Sequence, residues 1–275
     1  MNLVWSAIVV VVAAALAVAA MLLVRRRAPE GSRFTDGDRA SGVFGVLATG
    51  FSVLLGFVVF LAFESYDQSR SGAEQEALVL SQQVETAQFL GAPVAAELTG
   101  ELVCYGRYVV GVEWPRAESG SLGDEINPWG VRMFQTLQSV NLRTPSQEAA
   151  YGKWLDETSD REAARIDRIH GAVGVIPLPL WVVLLFISLV IFVFMLFFAD
   201  SGEGAVTQAV LMGSVAAVMV AMLLLIRFLD SPFHQGVGGV RPIAMERTLG
   251  IIDQALRAVD ARVVLPCNAQ GNPVS

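Results

Sequence analysis

Arg161, Arg165 and Arg168 stand at i, i+4 and i+7, one face of a helix, just ahead of a long apolar run. Three cations so placed could collect anions at the mouth of a passage. They could equally form a solvated ion-pair face, since Glu157 precedes Arg161 by four residues and Glu162 precedes Arg165 by three. Earlier in the chain, Gly42, Gly45, Thr49, Ser52 and Gly56 recur at spacings of three and four, and the same register continues through Val59 and Phe63 to Tyr66 and Arg70. Small residues along one face of an apolar helix serve close helix packing in lipid. They would also suit a pore wall, wide from Gly45 through Thr49, Ser52 and Gly56 and narrow at Val59 and Phe63, where dewetting gates.

Catalytic chemistry has little to stand on. The two histidines, His170 and His234, belong to no Cys/His cluster, and Cys104 and Cys267 lie far apart with no CxxC, so no metal site and no cofactor is expected. Gly42-x-x-Gly45 and Gly236-x-Gly-Gly lack the strand–loop–helix setting of a phosphate-binding turn. Neither GxSxG nor HExxH occurs. Glu113 before Trp114 reads as a cap or ion-pair partner rather than a general base. The chain is not expected to be an enzyme.

The elements that must position these residues are membrane helices. Of 275 residues 54% are hydrophobic, with a mean hydropathy of +0.55, and the apolar residues come in long runs rather than amphipathic stripes. Residues 3–24, 42–63, 173–199 and 205–228 each suffice to cross about 30 Å of hydrocarbon at 1.5 Å per residue. Arg25-Arg26-Arg27 directly after the first run suits a retained anchor rather than a cleaved signal. Spans 1 and 2 (residues 1–63) are joined by a basic loop at 25–41, and spans 3 and 4 (173–228) form a hairpin over Asp200-Ser-Gly-Glu-Gly.

Residues 64–172 then form an extramembrane domain, on the same side as the tail at 229–275. This stretch is helical by its three- and four-residue periods. The predicted inward residues are Tyr66, Ala73, Ala77, Leu80, Val84 and Ala87, then Val94, Leu98, Leu102, Tyr105, Val109 and Val112, with Pro115 ending that helix. Asn127-Pro128 opens another helix with Val131, Phe134 and Leu137 inward. Thr144-Pro-Ser-Gln147 opens a longer one carrying Trp154, Ile166 and Ile169. After a Gly-rich loop, Pro242 starts a last helix through Met245, Leu249, Ile252, Leu256 and Val259. The fold class is all-α, a multi-pass membrane protein with four transmembrane helices.

The net charge is −7, and residues 64–175 hold 17 acids against nine Lys or Arg, a surface unsuited to nucleic acid. The loop at 25–41, with five Arg against three acids, belongs in the cytoplasm by the charge rule, which sends the domain outside. A Cys104–Cys267 pair would agree, since it needs an oxidising space.

The layout of two spans, helical domain and two spans resembles the bestrophin-like membrane proteins of bacteria, distant relatives of the bestrophin anion channels. The likeness is carried by Arg70 with Glu76-Ala77, Tyr105, Glu113-Trp114-Pro115, Arg161, Arg165, Pro179-Leu-Trp181, Asp230-Ser-Pro-Phe233 with Pro232, Gly236 and Pro242. The resemblance implies a homo-oligomer, a pentamer on the bestrophin pattern, with the second span around a central pore and the helical domain in the cytoplasm, against the charge rule. Bestrophins follow Asn-Pro-Phe-Gly with acids that clasp calcium, whereas here Pro232-Phe233 leads into His-Gln-Gly-Val-Gly-Gly. The expectation is a passive chloride or other anion channel in the cell membrane, in contact with lipid. The alternative is a non-conducting structural or sensory membrane protein whose acidic helical domain binds a partner.

Overall fold

The computed structural model describes residues 3–27, 36–121, 126–259 and 263–274. Residues 28–35 of the predicted basic loop lie outside the described residues. The described residues are all-α, without a strand, and fall into two compact units.

The first unit comprises Met1–Glu64, Gly174–Asp230 and Gln235–Val237. It contains α1 (Leu3–Arg25), the first part of α2 (Gly37–Ala87), α7 (Leu178–Phe197) and α8 (Ala205–Leu229). These four helices are long and apolar enough to cross a membrane, and most of their surface is left uncovered by the protein itself. That is the pattern lipid requires, because in hydrocarbon a helix satisfies its own backbone while its side chains need no protein cover. α1 packs mainly along α8 through Ala17, Met21, Met212 and Ala216. α2 joins α7 and α8 through Phe51, Val58, Leu184, Ile191 and Ile226. At the end of α1, the Arg25 guanidinium donates to the carbonyls of Asp200 (3.1 Å), Ser201 (3.0 Å) and Glu203, so a cation holds the α7–α8 turn.

α7 begins later than the apolar run at 173–199 suggests. Gly174 takes a positive φ of 76°, and Pro177 and Pro179 fit only the extended lead-in and first turn of a helix. The side chain of Asp230, just past α8, accepts hydrogen bonds from Val175 N (2.8 Å) and Ile176 N (3.0 Å), fixing that lead-in.

The second unit comprises Ser65–Val173, Ser231–His234 and Gly238–Ser275. It contains the rest of α2, α3 (Ala92–Tyr108), α4 (Trp114–Glu118), α5 (Pro128–Gln138), α6 (Pro145–His170) and α9 (Ile243–Ala258). Its core gathers Ala73, Ala77, Leu80, Leu98, Leu102, Tyr105, Trp129, Met133, Trp154, Met245 and Ile252. Two helix starts follow their local chemistry. Asn127 Oδ1 accepts from Trp129 N at 3.1 Å, and Thr144 Oγ1 accepts from Gln147 N at 3.2 Å, each with proline next.

Three expectations need correction. Pro115 does not end the helix: a π-turn at Val109–Glu113 follows α3, and Pro115 then falls in the first turn of α4, where its missing N–H costs nothing. On α5, Val131 and Phe134 are exposed; Trp129, Met133 and Leu137 face the core, because the cap at Asn127 and the wide indole set the register. On α6, Ile166 is exposed while the buried face runs Ala150, Trp154, Glu157, Arg161, Ala164 and Arg168.

The tail is structured. Cys104 on α3 and Cys267 form a disulfide with Cα atoms 5.8 Å apart, and Trp129 Nε1 donates to Gly271 O at 2.6 Å. Gly271 has φ +81°, and a Cβ there would meet Tyr108 N at 2.1 Å, so the tail lies against α3 only because this residue has no side chain.

Candidate functional site

In the first unit the small-residue face of α2 is open. A Cβ built at Gly42, Gly45 or Gly56 would meet nothing within 4 Å, and Thr49, Ser52 and Phe63 are exposed. Val59 is half-buried and touches the Phe51–Leu184 cluster, so the face is not uniform. The Ser52 hydroxyl is turned onto its own helix, donating to Ala48 O at 2.9 Å. Trp181 on α7 packs within the same cluster.

In the second unit the motif residues converge on one buried charge network. Arg168 and Glu76 are both wholly buried, with Arg168 Nε 2.5 Å from Glu76 Oε2. Arg168 Nη2 also donates to Glu113 Oε2, and Arg165 donates to Glu113 Oε1 at 3.1 Å. The Tyr105 hydroxyl donates to Glu76 Oε1 at 2.6 Å, and Asn127 Nδ2 to Glu113 Oε1 at 3.2 Å. Arg161 donates to Gln83 Oε1 at 2.6 Å and lies 4.8 Å above the Tyr105 ring. Arg168 lies over Trp114, which meets Phe233 edge to face at 5.4 Å.

The π-turn explains the role of Glu113. Its wider backbone carries that carboxylate, 97% hidden, onto Arg165 and Arg168. Burial alone would raise the Glu113 pKa, but Arg168 and Arg165 outweigh it and hold the carboxyl below its usual range. Burial alone would lower the Arg168 and Arg165 pKa values, yet Glu76 and Glu113 turn the Arg168 shift upward and Glu113 does the same for Arg165. Tyr105 is pushed well up, by burial first and then by the Glu76 charge. Arg168 thus bridges the Glu76 and Glu113 carboxyl groups, and Arg165 adds a second guanidinium on Glu113.

Arg161 and Arg168 therefore do not stand at a surface. They are 1% and 0% exposed and the hydrogen bonds they make stay inside the unit, although Arg161 Nε and Arg168 Nη1 are buried without a hydrogen-bond partner; Arg165 keeps only 12% of its side chain accessible. On α6 Glu157 pairs with Lys153, four residues before it, and accepts from Thr86, while Arg161 pairs with Glu162. Arg70 is exposed and paired with Glu74 at 3.3 Å. Gln83 was missed, although it lies seven residues after Glu76 on the same face of α2, which is the signal that could have found it.

The profile of the Bestrophin-like domain matches residues 11–245. Among solved structures, the chain is similar to a bacterial bestrophin homologue from Klebsiella pneumoniae at 12% identity, covering 95% of this chain and 100% of that one, with a TM-score of 0.66. An aspartate-to-alanine variant of the Klebsiella homologue is 14% identical over 92% and 99% of the two chains, TM-score 0.64. A membrane protein crystallised as a proline-to-alanine variant is 12% identical over 92% and 99%, TM-score 0.67. No curated protein matches the chain. At such identities the likeness to solved structures carries the fold alone.

Proposed function

The chain belongs to the bestrophin-like family of membrane proteins, and on that premise we propose that several copies assemble around a passive anion path lined by one face of α2. The face runs Gly45, Thr49, Ser52, Gly56, Val59 and Phe63. One observation carries the reading: the small residues of this face, Gly45, Thr49, Ser52 and Gly56, are left uncovered within the protomer. Lipid tails gain nothing from a row of glycines and hydroxyls, whereas a neighbouring copy or a water-filled lumen does. Glycine, threonine and serine leave a wide passage with hydrogen-bonding groups. Val59 and Phe63 supply an apolar narrowing where water columns break.

The membrane-spanning part of α2 carries no carboxylate or histidine from Gly42 to Phe63, so no side chain there could couple a proton or cation to transport, and the path would be passive. A pentamer is the assembly the family resemblance implies, and chloride the simplest ion to test.

Purified protein in liposomes should dissipate an imposed chloride gradient, and a charge or a larger side chain at position 59 or 63 should change the rate. Assembled protein that passes no chloride would leave the stripe as a packing face between copies, the non-conducting alternative.

A further inference from the structure

A cavity of about 440 Å³ in the second unit is lined by Tyr66, Arg70 and Glu74 from α2, by Gly238 to Arg241, and by Ile243 and Arg247 at the start of α9. Three arginines, Arg70, Arg241 and Arg247, line it together with Glu74, which pairs with Arg70 at 3.3 Å. The loop wall is rigid: the Tyr66 hydroxyl donates to Gly238 O at 2.5 Å, and Val240 N donates to Pro232 O at 2.8 Å. Gly238 takes φ +84°, and a Cβ at Gly239 would meet His234 O at 2.1 Å, so this wall is bare backbone. The loop feeds directly into α9, where the cap residue, Pro242, makes no side-chain hydrogen bond to the first turn. The N–H groups of that turn carry the positive end of the helix dipole.

We propose that this cavity binds a phosphate-bearing anion, its oxygens taken by Arg70, Arg241 and Arg247 and by the first-turn N–H groups of α9. The chemistry selects phosphate over other anions. A guanidinium offers paired donors that match two oxygens of a tetrahedral group, and a monatomic anion uses only one point of each fork. A carboxylate has two oxygens and would be saturated by one fork, leaving the remaining cations facing each other. A Gly-rich loop running into a helix N-terminus supplies backbone donors in the same direction. Gly238 and Gly239, part of a run that the sequence alone left without a phosphate-binding setting, gain one from the arginines of α2 and α9 that line the same cavity.

Two sources offer such a group: free phosphate, or the headgroup of an anionic phospholipid. Tyr66 and Arg70 lie about 5–10 Å beyond Phe63 along α2, the thickness of a headgroup layer. The site stands without the conduction proposal, because its test reads binding and not flux.

The test is calorimetric titration of the purified full chain in a non-ionic detergent. The probes are inorganic phosphate, short-chain phosphatidylglycerol and short-chain phosphatidylcholine. Saturable binding of phosphate supports the site with a soluble source; binding of phosphatidylglycerol alone supports it with a lipid source. Arg247→Gln should weaken the bound probe on the order of tenfold, and Arg241→Gln/Arg247→Gln further, since each removes a charge-assisted hydrogen bond. Arg143→Gln, the same charge lost from an exposed position away from the cavity, should leave binding unchanged. If a variant fails to fold, the wild-type protein still decides: sulfate should displace the probe where chloride at equal ionic strength does not. Absence of saturable binding by phosphate and phosphatidylglycerol, equal binding in the double variant, phosphatidylcholine bound as tightly as phosphatidylglycerol, or equal displacement by chloride would each overturn the proposal.

Discussion

Arg168 and Glu76 face each other at 2.5 Å with neither side chain exposed, the α6 guanidinium closing on the α2 carboxylate. A hidden pair of this kind is not a gain over a well-packed apolar pair, but breaking it strands a charge. Glu76→Ala should lower stability by about 3–5 kcal/mol in denaturant unfolding in detergent. Added to Arg168→Ala, it should cost far less than the sum of the two, because the stranded charge is already gone. Additive losses in the double-mutant cycle would mean that the two groups are not coupled.

Glu101 on α3 sits with Glu97, Arg132 and Thr136 around a cavity of about 600 Å³ in the second unit. Burial raises its pKa to about 7, the Thr136 hydrogen bond at 3.2 Å pulling the other way. A carboxyl whose folded pKa exceeds its unfolded value favours the folded state while protonated, so its contribution is full below about pH 4.5 and is lost as pH rises towards 7. The melting temperature should therefore fall by a few degrees between pH 5 and pH 7.5, on the scale of about 2–4 °C per kcal/mol. Glu101→Gln, which cannot ionise, should flatten that slope. A wild-type curve with the same slope as the variant's would contradict the assignment.

The Cys104–Cys267 disulfide bears on which side of the membrane the second unit occupies. It closes 163 residues and is buried at both ends, and such bonds persist where the surroundings oxidise thiols. With the arginine-rich loop at 25–41, it leads to the prediction that this unit faces a space outside the cytoplasm. Ser119→Cys introduces an exposed thiol in this unit. A membrane-impermeant maleimide should label it in intact cells, and acid-quenched cells should show the native pair already oxidised. Labelling only after lysis, with the native thiols free, would reverse the orientation.

How far these features could be read from sequence depends on where each partner lies. The membrane helices were legible because lipid judges each helix by itself: α1, α7 and α8 need only length and apolar side chains. The starts at Asn127 and Thr144 were legible because a cap bonds within three residues. The charges of α6 were not. Helix-pair rules compare Arg161 with Glu157 and Arg165 with Glu162, whereas Arg168 finds Glu76 92 residues away and Glu113 55 residues away. The π-turn that aims Glu113 leaves no mark in residue spacing, so Pro115 read as a stop. The cavity proposed for an anion escaped for the same reason, since Arg70 and Arg247 are distant in sequence and line it together with residues 238–241.

Gly56 is the sharpest test of the open face on α2. A side chain there meets nothing within 4 Å in the protomer, so Gly56→Leu should leave the fold intact or improve it slightly, by up to about 1 kcal/mol from the better helix former. If the face lines a permeation path, the same substitution narrows the lumen and chloride efflux from liposomes should fall severalfold. Phe57→Ala removes a larger side chain, 66% exposed and one position further round the helix, and should leave the flux unchanged. Phe63→Ala, in register with Gly56, opens the apolar narrowing and should raise the flux. The prediction is thus a pattern that follows the stripe and not the size of the change. Equal effects at positions 56 and 57, or flux insensitive to both Gly56→Leu and Phe63→Ala, would assign the stripe to contact between copies.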